Sequence, residues 1–188
     1  MPCAYITHND CLRHEIFFDN VAVGIRHAKD VHGLGRIALI DFDVHHGNGS
    51  QDIFRDDPRV LMCSTFEQGI YPFADDVAGA NMVNIGLPSR AGGAAFRDAV
   101  TSHWLPALET FAPPLICISA VFDGHRDDDM GDLGLVEADY AWVTREIMRV
   151  ARRQSVHPGG AAVDPSQATD AASPCTGSLA TTTRACPL

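Results

Sequence analysis

The sequence lacks a long hydrophobic run, a run of Lys and Arg residues, and any pair of cysteines at Cys-x-x-Cys spacing. No apolar segment approaches the ~20 residues that a membrane-spanning helix needs, so we expect no membrane partner. Lys and Arg number 14 against 24 Asp and Glu, which gives a formal net charge of -10. This acidic balance argues against direct binding to nucleic acid but leaves a cationic substrate open.

The N-terminus has no basic segment followed by an apolar one, so the sequence predicts no secretory signal and a cytoplasmic location. Cys63 and Cys117 lie inside apolar runs, where buried, reduced thiols are expected rather than disulfides or metal ligands. With 188 residues, of which 46% are hydrophobic, the chain is long enough for one domain with a substantial core.

The composition changes sharply after Arg153. Residues 154–188 are rich in Ala, Ser, Thr, Pro and Gly and contain almost no large apolar side chain. Such a segment buries too little surface to offset the entropy of ordering it. We therefore predict a domain over residues 1–153 and a low-complexity, disordered tail over residues 154–188.

Before this change, short apolar runs alternate with helical patterns. Because the apolar runs have no polar face, they favour a mainly parallel sheet that helices cover on both sides, an α/β fold. The predicted helices span residues 19–33, 96–111 with a kink at Pro106, and 137–153. The predicted strands span residues 36–44, 59–65, 81–88 and 114–122.

The strand predicted at 36–44 ends in charged residues, in the stretch "IALIDFDVHHGNG". Side chains alternate faces along a strand, so Asp41, Asp43 and His45 are expected on one face. The carboxyl ends of strands are where open α/β sheets bind ligands, and the flexible "HGNG" would let the backbone approach closely. A solvated strand end with a capping Asp is the alternative.

The strand predicted at 114–122 likewise runs directly into Asp123 and then His125. If both strands belong to one parallel sheet, their carboxyl ends converge. Asp43, His45 and Asp123 would then supply two oxygens and one nitrogen, and three protein ligands with an open position are typical of a catalytic zinc site. Asp41 could support one of these ligands or bind a second, monovalent cation.

Two motifs, "IDFDVHHGNGSQDIF" and "SAVFDGHRDDDMGDLGLVEADYAWVT", resemble the zinc-dependent histone deacetylase superfamily, nearest its class II-like branch. Acetylpolyamine amidohydrolases and acetoin-utilisation deacetylases belong to the same superfamily. The resemblance covers roughly residues 17–152. It implies an arginase-like, three-layer α/β/α fold with a mainly parallel sheet, here incomplete, and hydrolysis of acetyl-amides on lysine or polyamines.

The resemblance also implies zinc on Asp43, His45 and Asp123. It further implies a structural potassium ion near Asp41, Asp43, His45 and Ser64. Arginases are the nearest competing metallohydrolases, but they need another Asp two residues after the histidine, where this chain has Gly47. A two-metal arginase site is therefore disfavoured.

The catalytic residues that the resemblance implies are not found. A tandem His-His pair, the general base and its partner, is expected near Tyr5 and Ile6, and the nearby His8 and His14 do not fit its spacing. A Gly-Gly-Tyr motif, whose tyrosine stabilises the oxyanion, does not follow Asp123.

Other positions near the two motifs have simpler interpretations. Tyr140 has the apolar spacing of a core residue. Val121 stands where the family has Gly, and a β-branched side chain is a poor fit to a backbone that requires glycine. His46 and His125 are interpreted as structural rather than as ligands. The acidic loop 126–129 is either solvated or binds a cationic group.

Phe66, Tyr71 and Phe73 either border a substrate channel or anchor their loop. From these departures we expect a truncated or frame-damaged deacetylase domain that keeps the metal site. The alternatives are a catalytically inactive metal-binding or interaction module, and a gene product that folds poorly.

Overall fold

Helices and strands alternate along the part of the chain that the computed structural model describes, which is residues 19–73, 79–155, 179–180 and 183–184. In chain order the elements are α1 Asn20–Asp30, β1 Ile37–Asp41, α2 Asn48–Phe54, β2 Val60–Glu67, β3 Met82–Leu87, α3 Gly93–Ala99, a π-helical turn Val100–Trp104, α4 Leu105–Phe111, β4 Leu115–Ala120, α5 Glu137–Ser155, β5 Leu179–Ala180 and β6 Thr183–Arg184.

The first four strands form a parallel sheet in the order β3-β2-β1-β4. β5 and β6, two residues each, pair antiparallel with β4. At the carboxyl end of β1, Asp41 is in register with Ser64 of β2 and with Ser119 of β4. The predicted parallel sheet is confirmed, and the ends of β1 and β4 lie side by side.

Both faces of the sheet are covered. Ala38 and Ile40 belong to a buried cluster with residues of α3, α4 and α5, whereas Ile37 and Leu39 belong to a second cluster with residues of α1. This division follows the two-residue alternation of side chains along β1. The arrangement is the predicted three-layer α/β/α fold.

Three local features differ from the sequence-based expectations. β1 ends at Asp41, three residues before the predicted strand end. Helix α2 begins at Asn48, inside the stretch expected to be flexible. Before Pro106, the N–H of Leu105 bonds the carbonyl of Val100, so a π-helical turn lies where a kink was expected, because proline has no N–H for a regular α-helical bond.

The predicted tail lies almost wholly outside the described residues, and its disorder remains a prediction. Helix α5 continues to Ser155, two residues beyond the predicted domain boundary. Among the described residues, no helix has the length and apolar character that crossing a membrane requires.

A buried ion pair joins α1 to the turn that follows α2. The Lys29 side chain is fully buried, its ammonium contacts the Asp57 carboxylate, and it lies 5.9 Å from the centroid of the Phe54 ring. Arg59 donates to Asp57 through Nε at 3.0 Å. Hydrogen bonds from Arg59 and then Lys29 hold the pKa of Asp57 well below its usual value.

We expect Asp57→Asn to lower the free energy of unfolding by about 3 kcal/mol, because the Lys29 ammonium would stay buried without its counter-ion. Urea denaturation at pH 7 measures this loss, with Asp56→Asn, which changes a 95% exposed carboxylate, as the control. Because folding lowers the pKa of Asp57, its stabilisation is present above the unfolded pKa of about 4 and is lost as the pH falls below it. The difference between wild type and Asp57→Asn should therefore shrink below pH 4, and equal stability at pH 7 would contradict the prediction.

Candidate metal centre

Asp43, His45 and Asp123 meet beyond the carboxyl ends of β1 and β4. Each offers one ligand atom, and these atoms all lie within 4.8 Å of one another. The side chain of Asp43 is fully buried, and those of His45 and Asp123 are each 11% exposed. The sequence predicted this convergence from two separate strand ends, and the parallel pairing of β1 with β4 explains it.

Backbone hydrogen bonds to the carboxylates place these residues. The N–H of Asp43 donates to Asp41 Oδ1 at 3.2 Å, and the N–H of His45 donates to Asp43 Oδ1 at 2.6 Å. Across the sheet, the N–H of Val44 donates to Asp123 Oδ1 at 2.9 Å. Strand alternation was therefore the wrong reason for expecting Asp43 and His45 together, because both lie after β1 and local Asp-to-backbone bonds shape the segment.

One side of the His45 imidazole faces both carboxylates. Its Nδ1 lies 3.1 Å from Asp43 Oδ1 and 3.3 Å from Asp123 Oδ2. The group thus presents two oxygen atoms and one nitrogen atom toward a common space. Such a donor set suits a divalent transition metal such as zinc.

The carboxylates repel one another. Burial, then the charges of Asp123 and Asp41, raise the pKa of Asp43 well above its usual value. Burial, followed by the charges of Asp123 and Asp19, raises the pKa of Asp41 to about 7. A cation bound among them would offset this repulsion and favour the ionised carboxylates, so the electrostatics fit a metal ion.

A second pair of oxygen atoms lies beside this group. Asp41 is 1% exposed and Ser64 is fully buried, and they are in register on β1 and β2. Asp41 Oδ2 and Ser64 Oγ have no hydrogen-bond partner among the described residues. Because buried polar atoms are nearly always satisfied, this pair fits a bound cation or water.

The two other histidines of the motifs lie outside the metal group, which consists of Asp43, His45 and Asp123. His46 is 2% exposed, its Nε2 lies 3.0 Å from Gln51 Oε1, and its ring packs against Phe66 at 4.5 Å between centroids. His125 accepts a hydrogen bond from the N–H of Asp127 at 3.2 Å. Both therefore have the structural environments that the sequence predicted.

Tyr140 is a core residue, as its spacing predicted. Its ring packs against Phe42 and Phe122 at centroid distances of 5.9 and 5.0 Å, and its hydroxyl has no hydrogen-bond partner among the described residues. Burial raises its pKa. Val121 is not among the described residues with positive φ, so it causes no strain of the kind that glycine relieves.

The loops around the centre are divided between anchors and exposed residues. Residues 126–130, which include the acidic stretch, are all exposed. Phe66 is 2% exposed and anchors its strand, whereas Phe73 is 74% exposed. The positions near Tyr5 and Ile6, together with His8 and His14, lie outside the described residues.

Two buried acidic residues near the metal centre, Asp19 and Glu67, were not predicted from the sequence to contribute to it. Asp19, the N-cap residue of α1, accepts a hydrogen bond from Ser50 Oγ at 2.7 Å and adds negative charge near Asp41. Glu67, at the end of β2, is 3% exposed and accepts a hydrogen bond from a residue 65 positions away. No local pattern could have predicted either contact.

The chain matches the family model for the histone deacetylase domain over residues 16–164. It is 37% identical over 142 residues to Histone deacetylase 14, chloroplastic, of Arabidopsis thaliana, covering 72% of this chain and 34% of that protein. It is also 37% identical over 147 residues to Polyamine deacetylase HDAC10 of Rattus norvegicus, covering 71% of this chain and 25% of that protein.

Solved structures agree with these sequence matches. The crystal structure of the HDA15 HD domain superimposes with a TM-score of 0.70 at 26% sequence identity, covering 82% of this chain and 46% of that chain. The chain thus spans less than half the length of the proteins it matches. The match to the family model, the similarity to relatives and the three-layer fold show that this chain belongs to the histone deacetylase family.

Proposed function

We propose that this chain is the metal-binding part of a zinc-dependent amidohydrolase that removes acetyl groups from acetyl-lysine, in histones or other proteins, or from acetylpolyamines, with turnover impaired in this chain. The observation that carries the proposal is the convergence of Asp43, His45 and Asp123 within 4.8 Å at the sheet edge. The family membership supports the reaction class.

The three residues would hold the zinc ion, which when bound polarises an amide carbonyl and lowers the pKa of coordinated water. Their own contribution is a preorganised set of ligands. Asp43 and Asp123 accept the backbone N–H groups of His45 and Val44, so the two carboxylates are oriented before a metal arrives. The largely buried position of the centre keeps bulk water from weakening its electrostatic interactions.

The proposed substrate class is supported by the charge of this chain and by the names of two relatives. One relative is named a polyamine deacetylase and another a histone deacetylase. The net charge of -10 and the exposed acidic stretch 126–129 favour a cationic substrate, which both acetylpolyamines and lysine-rich peptides are. A cytoplasmic location and the absence of a nucleic-acid partner remain predictions, and the Arabidopsis relative is named chloroplastic.

We further propose a potassium ion at the neighbouring oxygen atoms, held by Asp41, Asp43, His45 and Ser64. The support is that Asp41 Oδ2 and Ser64 Oγ are buried with no hydrogen-bond partner among the described residues. Oxygen ligands suit hard cations, and the two strands hold these ligands at a fixed separation.

Potassium chloride should raise the thermal unfolding midpoint of the wild type above its value in choline chloride of equal ionic strength, because an ion that binds only the folded state stabilises it. Ser64→Ala should lose most of this difference. Thr65→Val is the matched control, since it removes a buried hydroxyl from the same strand on the opposite face. An equal potassium effect in Ser64→Ala would exclude Ser64 as a ligand.

The competing function is a catalytically inactive metal-binding or interaction module. Acetate release from acetyl-lysine peptides and acetylpolyamines, measured with and without added zinc, separates the two. Zinc-dependent release that is absent in His45→Ala supports the amidohydrolase. Zinc binding with equal, background release in wild type and His45→Ala supports the inactive module.

A further inference from the structure

We propose that Glu67 is a positioning residue for the metal centre, an inference that rests on the proposed zinc site. Glu67 holds the loop that follows Asp123 against the segment that carries Asp43 and His45. Its described hydrogen bonds go to Asp132 and Val44, so we assign it a positioning role rather than that of a ligand. Its role is to fix the distance between the ligand from β4 and the two ligands that follow β1.

Glu67 bonds both parts of the structure that must be held together. Its side chain is buried, and its Oε2 accepts a hydrogen bond from the N–H of Asp132 at 2.7 Å. Its own N–H donates to the carbonyl of Val44 at 2.8 Å. One residue at the end of β2 therefore joins the loop after β4 to the segment after β1.

Gly131 makes the contact between loop and segment close. A Cβ atom at this position would lie 2.3 Å from Val44 Cγ2 and 3.0 Å from Glu67 Oε2. Real Cβ atoms do not approach other atoms to 2.3 Å, so only glycine allows the loop to rest on Val44 in this way.

Val44 lies between the ligands Asp43 and His45 in the sequence, and its N–H donates to Asp123 Oδ1 at 2.9 Å. The loop is therefore joined to this segment at two places. At its start the contact is made by Asp123, and at its end by Gly131 and Asp132. Between these two contacts, residues 126–130 are exposed. Without the Glu67 bond, the return contact weakens and Asp123 sits at one end of a looser loop.

Residues that orient metal ligands typically change metal affinity about 10–100-fold when they are replaced. We expect Glu67→Ala in the full chain to weaken zinc binding by about tenfold or more, as measured by competition with a chromophoric chelator. Glu67→Gln keeps an oxygen acceptor, and its zinc affinity should stay within about threefold of wild type. In free energy, a threefold change is less than half of a tenfold change.

Asp139→Ala is the matched control for general destabilisation. Asp139 is also 3% exposed and also accepts a backbone N–H, from Val136 at 3.0 Å, but it binds no residue of the metal group in any described hydrogen bond. Circular dichroism of the metal-free proteins, at a temperature where each is folded, separates loss of fold from loss of affinity. Gly131→Ala tests the same loop contact without changing Glu67 and should weaken zinc binding by a similar factor.

Four results would each overturn the proposal. Two are wild-type zinc affinity in Glu67→Ala and wild-type zinc affinity in Gly131→Ala. The other two are a loss of affinity in Asp139→Ala, or in Glu67→Gln, as large as the loss in Glu67→Ala. If Glu67→Ala does not fold, Gly131→Ala and Glu67→Gln decide the question by the same criteria. Failure of the wild-type chain to bind zinc would instead overturn the zinc site itself, so the two proposals fail on different measurements.

Discussion

Asp123→Ala should reduce the zinc content of the purified chain from about one ion to a background level, because a zinc site needs at least three protein ligands. Asp43 and His45 both come from one short segment, and two ligands from one segment rarely hold zinc alone. Asp123 is the proposed ligand that β4 brings to the site, and the N–H from which it accepts a hydrogen bond belongs to Val44, 79 residues earlier in the chain.

Elemental analysis after dialysis against trace zinc measures this loss. Asp129→Ala is the control, because it removes an exposed carboxylate from the same loop and changes the net charge equally. Asp123→Asn separates the two roles of the residue: it keeps an oxygen that can accept the Val44 N–H but loses the charge. Zinc content in Asp123→Ala equal to that of wild type would show that the three residues are not the site.

The second large effect concerns turnover. We expect acetyl-lysine and acetylpolyamine hydrolysis by this chain to be at least about 10²-fold slower than by a full-length relative. A positioned general base typically contributes about 10²–10⁴-fold, and one oxyanion donor about 10²–10³-fold. No His-His pair occupies the expected positions near Tyr5 and Ile6, and no Gly-Gly-Tyr motif follows Asp123. The two losses are not expected to multiply, because groups that act together are non-additive.

The comparison requires zinc-loaded protein and the same substrates for both enzymes, with His45→Ala as the blank. Turnover within about tenfold of the relative, dependent on zinc and lost in His45→Ala, would contradict the prediction, since about tenfold is less than the smallest typical contribution of a general base. In that case another residue supplies the base, and His8→Ala and His14→Ala would identify it.

The sequence alone was sufficient to predict the parallel sheet and the three metal-ligand candidates. The candidate ligands lie shortly after two largely apolar runs, and such runs form parallel strands whose carboxyl ends meet at one edge. The pattern of apolar and charged residues along the chain was therefore enough to predict which strand ends meet, without knowledge of side-chain positions. Tyr140 could also be assigned to the core from the sequence, because apolar residues at helical spacing indicate the buried face of a helix.

Local conformation after β1 was predicted less well. The glycines on either side of Asn48 are typical of a turn, but residues 48–54 form α2. Two buried side-chain contacts hold this short helix, from Ser50 to Asp19 and from Gln51 to His46. Propensity is a weak guide in so short a helix, because tertiary packing supplies most of its stability.

Only the tertiary structure could show how the proposed metal ligands are held. The bond from Asp132 to Glu67 spans 65 residues, and the bond from Val44 to Asp123 spans 79. In the sequence, Glu67 is only an acidic residue at the end of a strand, and Gly131 is only a glycine in a polar loop. Their roles depend on which loops the sheet order brings together, and that order is set by the packing of the whole domain. The residue types and their spacing thus determined which chemistry is available, whereas the fold decided the distances at which it operates.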